Sequence, residues 1–433
     1  MTPDEALARI RRYDGRLKAF VQVFDPPLTG DAATCPVIAV KDLFDVADVP
    51  TGGGARVPLD PSPAHHAVVV ERLLQAGYVA VGKTHTVELA YGGWGTNRAV
   101  GAPWNPWDAA VHRAPGGSSS GSAVAVAAGL CDCALGSDTG GSVRIPAATC
   151  GVVGLKPGRG LVSLKGVHPL SPALDTVGVL ARDVATAARA LAVISGPDGE
   201  AAVRGPFDAE AALAADTRGR RVAAIPVAEL GEVHPEVARL YLQALDKLAA
   251  AGVTVETVAP PQTLDHSFTP NGMLMAGEGW RIWKDRIVEH GEVMDPWIVR
   301  RFEVGRDISD EALAQAHLTR AAHQQTFHAW LAAYDALVCP TCPIPAPPLA
   351  TVDETVSPLS RLTRAGNYLD LPGISLPCGL TDEGLPAGLQ ILGRPRDEAS
   401  VVTLGAAFEK VSGWNGRSPD LSGFEPQAPR VGA

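Results

Sequence analysis

Cysteine is scarce, with seven in 433 residues. The number is odd, so no disulfide framework is expected and a reducing cytoplasm is the default compartment. Long apolar runs are also missing. No stretch approaches the roughly 18 apolar residues of a membrane span. The opening MTPDEALARIRRYDGRLKAF mixes charge into a helical pattern, without the unbroken apolar core of a signal peptide. Basic blocks are absent too. The formal net charge is −10 and no Lys/Arg cluster interrupts it, which argues against a nucleic-acid partner. No internal repeat is visible. What remains is a globular composition, 46% hydrophobic and 19% charged, on a chain long enough to bury a large core as one domain or two.

The hydrophobic pattern predicts alternating elements. An amphipathic helix runs through residues 4–24 toward a short strand. Cys35–Lys41 reads as a buried strand with a lysine at its end. His66–Ala76 reads as a helix, Tyr78–Val81 as a strand, Ser122–Leu130 as a small-residue helix and Cys131–Leu135 as the strand after it. Val152–Lys156 is a further strand and Asp183–Ile194 a helix. A Pro/Gly/Ala-rich stretch near 196–220 reads as a linker. A β-α-β rhythm follows over Arg221–Pro226, Pro235–Ala251 and Val253–Val258. Residues 263–300 read as irregular, and 309–334 as a long helix. Leu337–Pro340, Ile374–Pro377 and Leu389–Leu392 read as strands and Ser400–Lys410 as the last helix. Strands alternating with helices predict an α/β fold with a largely covered sheet.

Several motifs point to chemistry that their context denies. Gly77–Thr84 matches the letters of a phosphate-binding loop, but its middle positions are themselves the strand and the helix precedes it. Gly117-Ser118-Ser119-Ser120-Gly121 matches the nucleophile elbow with Ser119 central, yet Asp108–Pro115 is not the strand an elbow requires. Cys339-Pro-Thr-Cys342 and Cys131-Asp-Cys133 have no second pair at zinc-ligand spacing and read as buried small hydrophobes. His317, His323 and His328 are spaced by six and five residues, which does not align them on one helix face. His65-His66 reads as a helix-start feature. No metal or cofactor is expected.

Two Gly/Ser runs carry the strongest chemical signal, Gly116–Ser122 and Gly136–Ser142. A serine nucleophile needs a base and needs donors aimed at the developing oxyanion. Thr139-Gly140-Gly141-Ser142 offers consecutive amides in a tight turn, and Asp138 and Arg144 bracket it where they could pin it. Lys41 ends a hydrophobic strand, where burial favours the neutral amine, a usable base. The same residues also read as flexible linkers and a surface lysine, and composition alone does not separate the two.

Taken in blocks, the chain resembles the amidase signature family, the Ser-cisSer-Lys amidohydrolases. The blocks are Val37–Asp42, Val81–Thr84, Pro115–Ser122, Gly136–Ala147, Gly151–Pro157, Leu371–Pro377 and Gly384–Gln390. The resemblance runs through roughly residues 4–200 and 335–410. It implies a single large mixed β-sheet covered by helices on both faces. It also implies one amidase signature domain over 1–433, with the family core at about 25–200 and 335–410 and a variable, substrate-specificity region at about 200–335. By motif position, it implies Ser142 as nucleophile, Ser118 as a bridging serine after a cis peptide bond, and Lys41 as the base behind it. Amides of Thr139, Gly140, Gly141 and Ser142 would form the oxyanion hole. The wall Ala90-Tyr91-Gly92 would meet substrate, and Trp94, Trp280, Trp283 and Asn367 are further candidates for the pocket. The family usually has glycine where this chain has Ser120, which is expected to cap the following helix.

The implied reaction is hydrolysis of a C–N bond through an acyl-enzyme. The lysine–serine relay returns a proton to the leaving nitrogen, as amide cleavage requires. The expected partner is a small-molecule amide, aryl amides included. A carbamate or a biuret- or allophanate-like ureide would use the same groups. A glutamine-hydrolysing subunit of a tRNA amidotransferase and a non-enzymatic binding protein are the other readings. No membrane partner is expected, and a homodimer stays open.

Overall fold

Short apolar runs, rich in small and β-branched residues, assemble into one sheet. The computed structural model describes residues 1–30, 36–198 and 205–426. Its strands are β1 (Phe20–Thr29), β2 (Val37–Lys41), β3 (Val79–Thr84), β4 (Cys133–Asp138), β5 (Val153–Lys156), β6 (Thr176–Ala181), β7 (Arg221–Ala224), β8 (Thr254–Thr257), β9 (Ala336–Pro340), β10 (Gly373–Leu380) and β11 (Pro386–Gly393). They form an 11-stranded sheet in the order β1-β3-β2-β4-β6-β5-β10-β11-β9-β7-β8. β2 runs parallel to β3 and β4, and β7 parallel to β8 and β9. The remaining pairs are antiparallel. The expected mixed sheet is therefore what the chain builds.

The sheet separates two cores because strand side chains alternate between faces. In β2, Val37 and Ala39 enter one core, while Ile38 and Val40 enter the other. Helices Pro3–Leu17 and Ser120–Ala127 close the first. Helices Val68–Gln75, Val184–Ile194, Pro235–Ala250 and Glu398–Ser412 bury their apolar sides in the second. Coverage on both faces explains why β2, β3, β4, β6 and β9 are buried at every residue.

Three expectations change. Residues 263–300, read as irregular, hold two helices, Phe268–His290 and Pro296–Glu303. Pro270, Gly272, Gly277 and Gly279 hid the first, because proline and glycine are poor helix formers. Proline is harmless within the first turn, and tertiary contacts require the glycines. A Cβ on Gly279 would meet the Phe302 ring, and one on Gly277 would press on Leu313. The linker near 196–220 contains a short helix, Ala209–Ala214, capped by Asp208; residues 199–204, like Cys35, lie outside the described residues. Strand β6 and the helix Arg144–Cys150 escaped the sequence pattern. No helix among the described residues is long and apolar enough to cross a membrane.

The misleading motifs resolve structurally. Residues Val79–Thr84 of the phosphate-loop look-alike are β3, and Lys83 is fully buried in an ion pair with Asp42 at 2.9 Å. The six described cysteines are buried free thiols. His317, His323 and His328 diverge to Glu278, the Tyr368 hydroxyl and the Leu369 carbonyl.

Candidate active site

Lys41 is carried to the end of β2 by four apolar residues that hold the strand inside the sheet. Its side chain is completely buried, and Nζ donates to Ser118 Oγ and to Ser137 Oγ, each at 2.8 Å. Burial pushes the ammonium down to about 7, against the opposing pull of Asp138 and Asp175. Ser137 was not anticipated. Its signal was available, since it stands inside the Gly136–Ser142 run beside Asp138.

Ser118 sits in a loop fixed on both sides. The Gly117–Ser118 peptide is cis, as the resemblance implied. The Ser118 carbonyl accepts from the Val87 amide and from Thr86 Oγ1. Ser119, the centre of the false elbow, ties the two Gly/Ser runs together. Its amide donates to the Ser142 carbonyl at 3.2 Å and its hydroxyl to the Ser137 carbonyl at 3.3 Å. Ser120 does not cap. The cap residue of Ser120–Ala127 is Ser119, without a side-chain cap bond, and the Ser120 hydroxyl is buried with no partner.

The loop after β4 is organised around one carboxylate. Asp138 Oδ1 accepts from the Gly141 amide at 2.8 Å, and Oδ2 from the Val143 amide at 3.0 Å. Arg144 binds the same carboxylate through Nε at 3.1 Å and Nη2 at 2.9 Å. Burial alone would raise the Asp138 carboxyl; the Arg144 guanidinium overrides it and holds the group well below the usual carboxylate range. Arg144 is itself anchored by the Thr363 carbonyl, Gln390 and Asn367. Asn367 thus stands behind the loop and not in the pocket. Gly141 has φ +128° and abuts Thr363, so a side chain fits there neither conformationally nor sterically.

Committing the Gly141 amide to Asp138 changes which donors are free. Among the described residues, the amides of Thr139, Gly140 and Ser142 have no hydrogen-bond partner, nor does Ser142 Oγ. Thr139 is held through its hydroxyl, which donates to Asp175 at 2.5 Å.

Ser142, Thr139 and Gly140 open onto a cavity of about 640 Å³ that Ala90, Tyr91 and Gly92 also line. The wall is distinctive: Leu89 and Ala90 take left-handed backbone angles, and the Tyr91 carbonyl accepts from Arg301 at 2.8 Å. Trp94, Trp280 and Trp283 do not line this cavity. The Trp94 indole donates to the carbonyls of Asp353 and Val356, and that of Trp283 to Pro169. Phe268, Met275, Trp297, Arg300 and Arg301 supply one side, and residues 354–364 another. None was legible from the sequence, because they come from helices read as irregular or from a proline-rich loop. Among the described residues, no group of His, Cys, Asp and Glu is arranged to hold a metal ion.

The chain is similar to known proteins over nearly its whole length. A glutamyl-tRNA(Gln) amidotransferase subunit from Chloroflexus aggregans is 35% identical over 98% of this chain and 90% of its own length. Peptide amidase from Stenotrophomonas maltophilia superposes with a TM-score of 0.83 at 28% identity, over 97% of this chain and 94% of that one. A 6-aminohexanoate cyclic dimer hydrolase in complex with substrate gives 0.87 at 25% identity, over 96% and 94%. The sequence profile of the Amidase family matches residues 1–402, and the chain belongs to the amidase signature family.

Proposed function

We propose that the protein is a serine amidohydrolase that cleaves the C–N bond of a small amide through an acyl-enzyme on Ser142. The observation that carries this reading is the fully buried Lys41, 2.8 Å from Ser118 in a loop that is hydrogen-bonded to the backbone of Ser142. A neutral amine there accepts the Ser118 proton while Ser118 takes the proton of Ser142, and the Ser142 oxygen attacks the carbonyl carbon. The free amides of Thr139, Gly140 and Ser142 receive the oxyanion, each donor being worth about 3–4 kcal/mol in comparable sites. The relay then runs backwards. Lys41, through Ser118, delivers the proton to the leaving nitrogen, and water discharges the ester by the same path. Ser137 fills the second hydrogen-bond position on Nζ and fixes the direction of the amine.

The test is turnover of a panel of primary amides, anilides and carbamates by the isolated chain, with mass spectrometry of the acylated protein. Release of amine with a covalent adduct on Ser142 supports the reading. Full turnover by Ser142→Ala removes it, and rates confined to carbamates replace the amide by a carbamate.

A second reading is favoured by the relatives named as glutamyl-tRNA(Gln) amidotransferase subunits, at 33–35% identity. Here the substrate is glutamine and the released ammonia passes to a partner. Glutaminase activity that appears only on adding partner subunits would select it, and activity of the purified chain on simple amides would select the first.

A further inference from the structure

Four arginines line the cavity beside Ser142: Arg300, Arg301, Arg361 and Arg364. Two are neutralised. Arg301 pairs with Glu354 at 2.8 Å and Arg361 with Asp265 at 2.8 Å. Arg300 is exposed at the rim, its guanidinium 5.0 Å from the Trp297 ring. Arg364 differs from all of these. Its guanidinium lies 3.9 Å from the Phe268 ring centroid, Nε donates to Ser360 Oγ at 3.1 Å and Nη1 to the Phe268 carbonyl at 3.0 Å. Nη2 has no partner, and no carboxylate among the described residues pairs with this side chain.

The surroundings make room for that cation and leave it unneutralised. Gly272, inside the helix Phe268–His290, lies so close that its Cβ would stand 2.9 Å from Arg364 Nη1. The stem of Arg364 lies against Gly140, a Cβ there being 3.4 Å from Arg364 Cγ, so the side chain borders the nucleophile loop. Burial lowers the guanidinium to about 10, and Arg301 acts in the same direction, while Tyr91 opposes it. The side chain is partly buried with its Nη2 open to the cavity, and a planar guanidinium with a free edge and no counter-ion suits a carboxylate. Glu354 is the sole acid lining the cavity among the described residues, and it is committed to Arg301 and to Thr96 Oγ1. No second carboxylate lines the cavity among the described residues to pair with an ammonium group.

We propose that the cavity binds substrates carrying a carboxylate in addition to the scissile amide, with Arg364 as the anion-binding residue and no matching site for a substrate amine. The inference rests on the amidohydrolase reading for its chemistry, but not for its binding test. It separates simple dicarboxylic monoamides from both neutral amides and the zwitterion glutamine.

Two measurements test it. Ammonia release from the monoamides of succinic, glutaric and adipic acid is compared with release from butanamide, pentanamide and glutamine. At least one monoamide should exceed the neutral amides and glutamine in kcat/KM by about 10- to 100-fold, the range of one charge-assisted hydrogen-bonded contact. Arg364→Gln should collapse that ratio, and rising salt should raise KM for the monoamides alone. Equal or better rates on neutral amides or glutamine overturn the proposal and leave the amidohydrolase reading intact. Calorimetry on Ser142→Ala protein with glutarate and with pentanamide needs no turnover. Glutarate binding that Arg364→Gln abolishes supports the anion site even if every amide in the panel is inert. Glutarate binding no tighter than pentanamide overturns it. Should Arg364→Gln not fold, the wild-type preference and the glutarate titration still decide.

Discussion

Lowering the pH below neutrality should switch the protein off through one residue, Lys41. Its amine is pushed from 10.5 to about 7 by burial. That difference corresponds to about 5 kcal/mol. An ordinary lysine would be neutral in roughly one molecule in 3,000 at pH 7, whereas burial shifts this one strongly toward the neutral amine. The expected kcat/KM profile therefore has an acid limb of unit slope with its midpoint near the Lys41 value, and a plateau about one pH unit above it. Lys41→Arg keeps a charged donor that cannot be deprotonated, so it should lose about 10²–10⁴ in kcat. The same burial leaves a mark on stability. The folded value lies below the unfolded one, so the folded protein binds fewer protons across the window from about 7 up to the ordinary lysine range. Stability is full above the unfolded value and falls as the pH drops through that window to the folded one. Thermal scans of wild type against Lys41→Met should thus show the difference moving in favour of wild type as the pH rises from about 7 to about 10. An acid limb with its midpoint near 10, or wild-type kcat in Lys41→Arg, would refute the assignment of Lys41 as a neutral base.

Other positions give independent checks. Breaking the buried Asp138–Arg144 pair with Arg144→Met should cost about 3–5 kcal/mol, because it leaves an uncompensated carboxylate, and urea unfolding reads it directly. Gly141→Ala forces a side chain into a left-handed position against Thr363; it should lower kcat steeply while KM stays close to wild type, a split that steady-state kinetics shows. Ser120→Ala removes a buried hydroxyl that has no partner. It should stabilise the fold by about 1 kcal/mol or more with kcat unchanged, and a destabilised Ser120→Ala would mean that the hydroxyl is satisfied in solution. Thr139→Val severs the bond to buried Asp175; it should cost about 1–3 kcal/mol in urea unfolding and reduce kcat by loosening an amide proposed to receive the oxyanion.

Much of the site was legible because its residues are local in the chain. Asp138, Gly141, Ser142 and Arg144 lie within seven consecutive positions, and the chemistry of a carboxylate pinning a glycine turn is written in their order. Lys41 was marked by the apolar strand that ends on it. Ser120 was misread because a serine before a helix usually caps it, and only packing shows that the cap position belongs to Ser119 and that the Ser120 hydroxyl is enclosed. The helix Phe268–His290 was hidden because its glycines lower helix propensity, and their reason, contact with Phe302, Leu313 and Arg364, lies in residues distant along the chain.

By itself the sequence determined the strand-helix alternation, the two Gly/Ser runs and the placing of Lys41, Ser118 and Ser142 in blocks that resemble the amidase signature family, since periodicity and motif order are properties of neighbours along the chain. Tertiary structure alone decided the rest. It placed Ser137 beside Lys41, tied the Gly141 amide to Asp138 while the amides of Thr139, Gly140 and Ser142 stay free among the described residues, and brought Trp297, Arg301 and Arg364 to the cavity that Ser142 lines, across more than 150 residues of chain. Those outcomes depend on burial and on which donors are already engaged, quantities that exist only once the sheet has closed and its helices have docked.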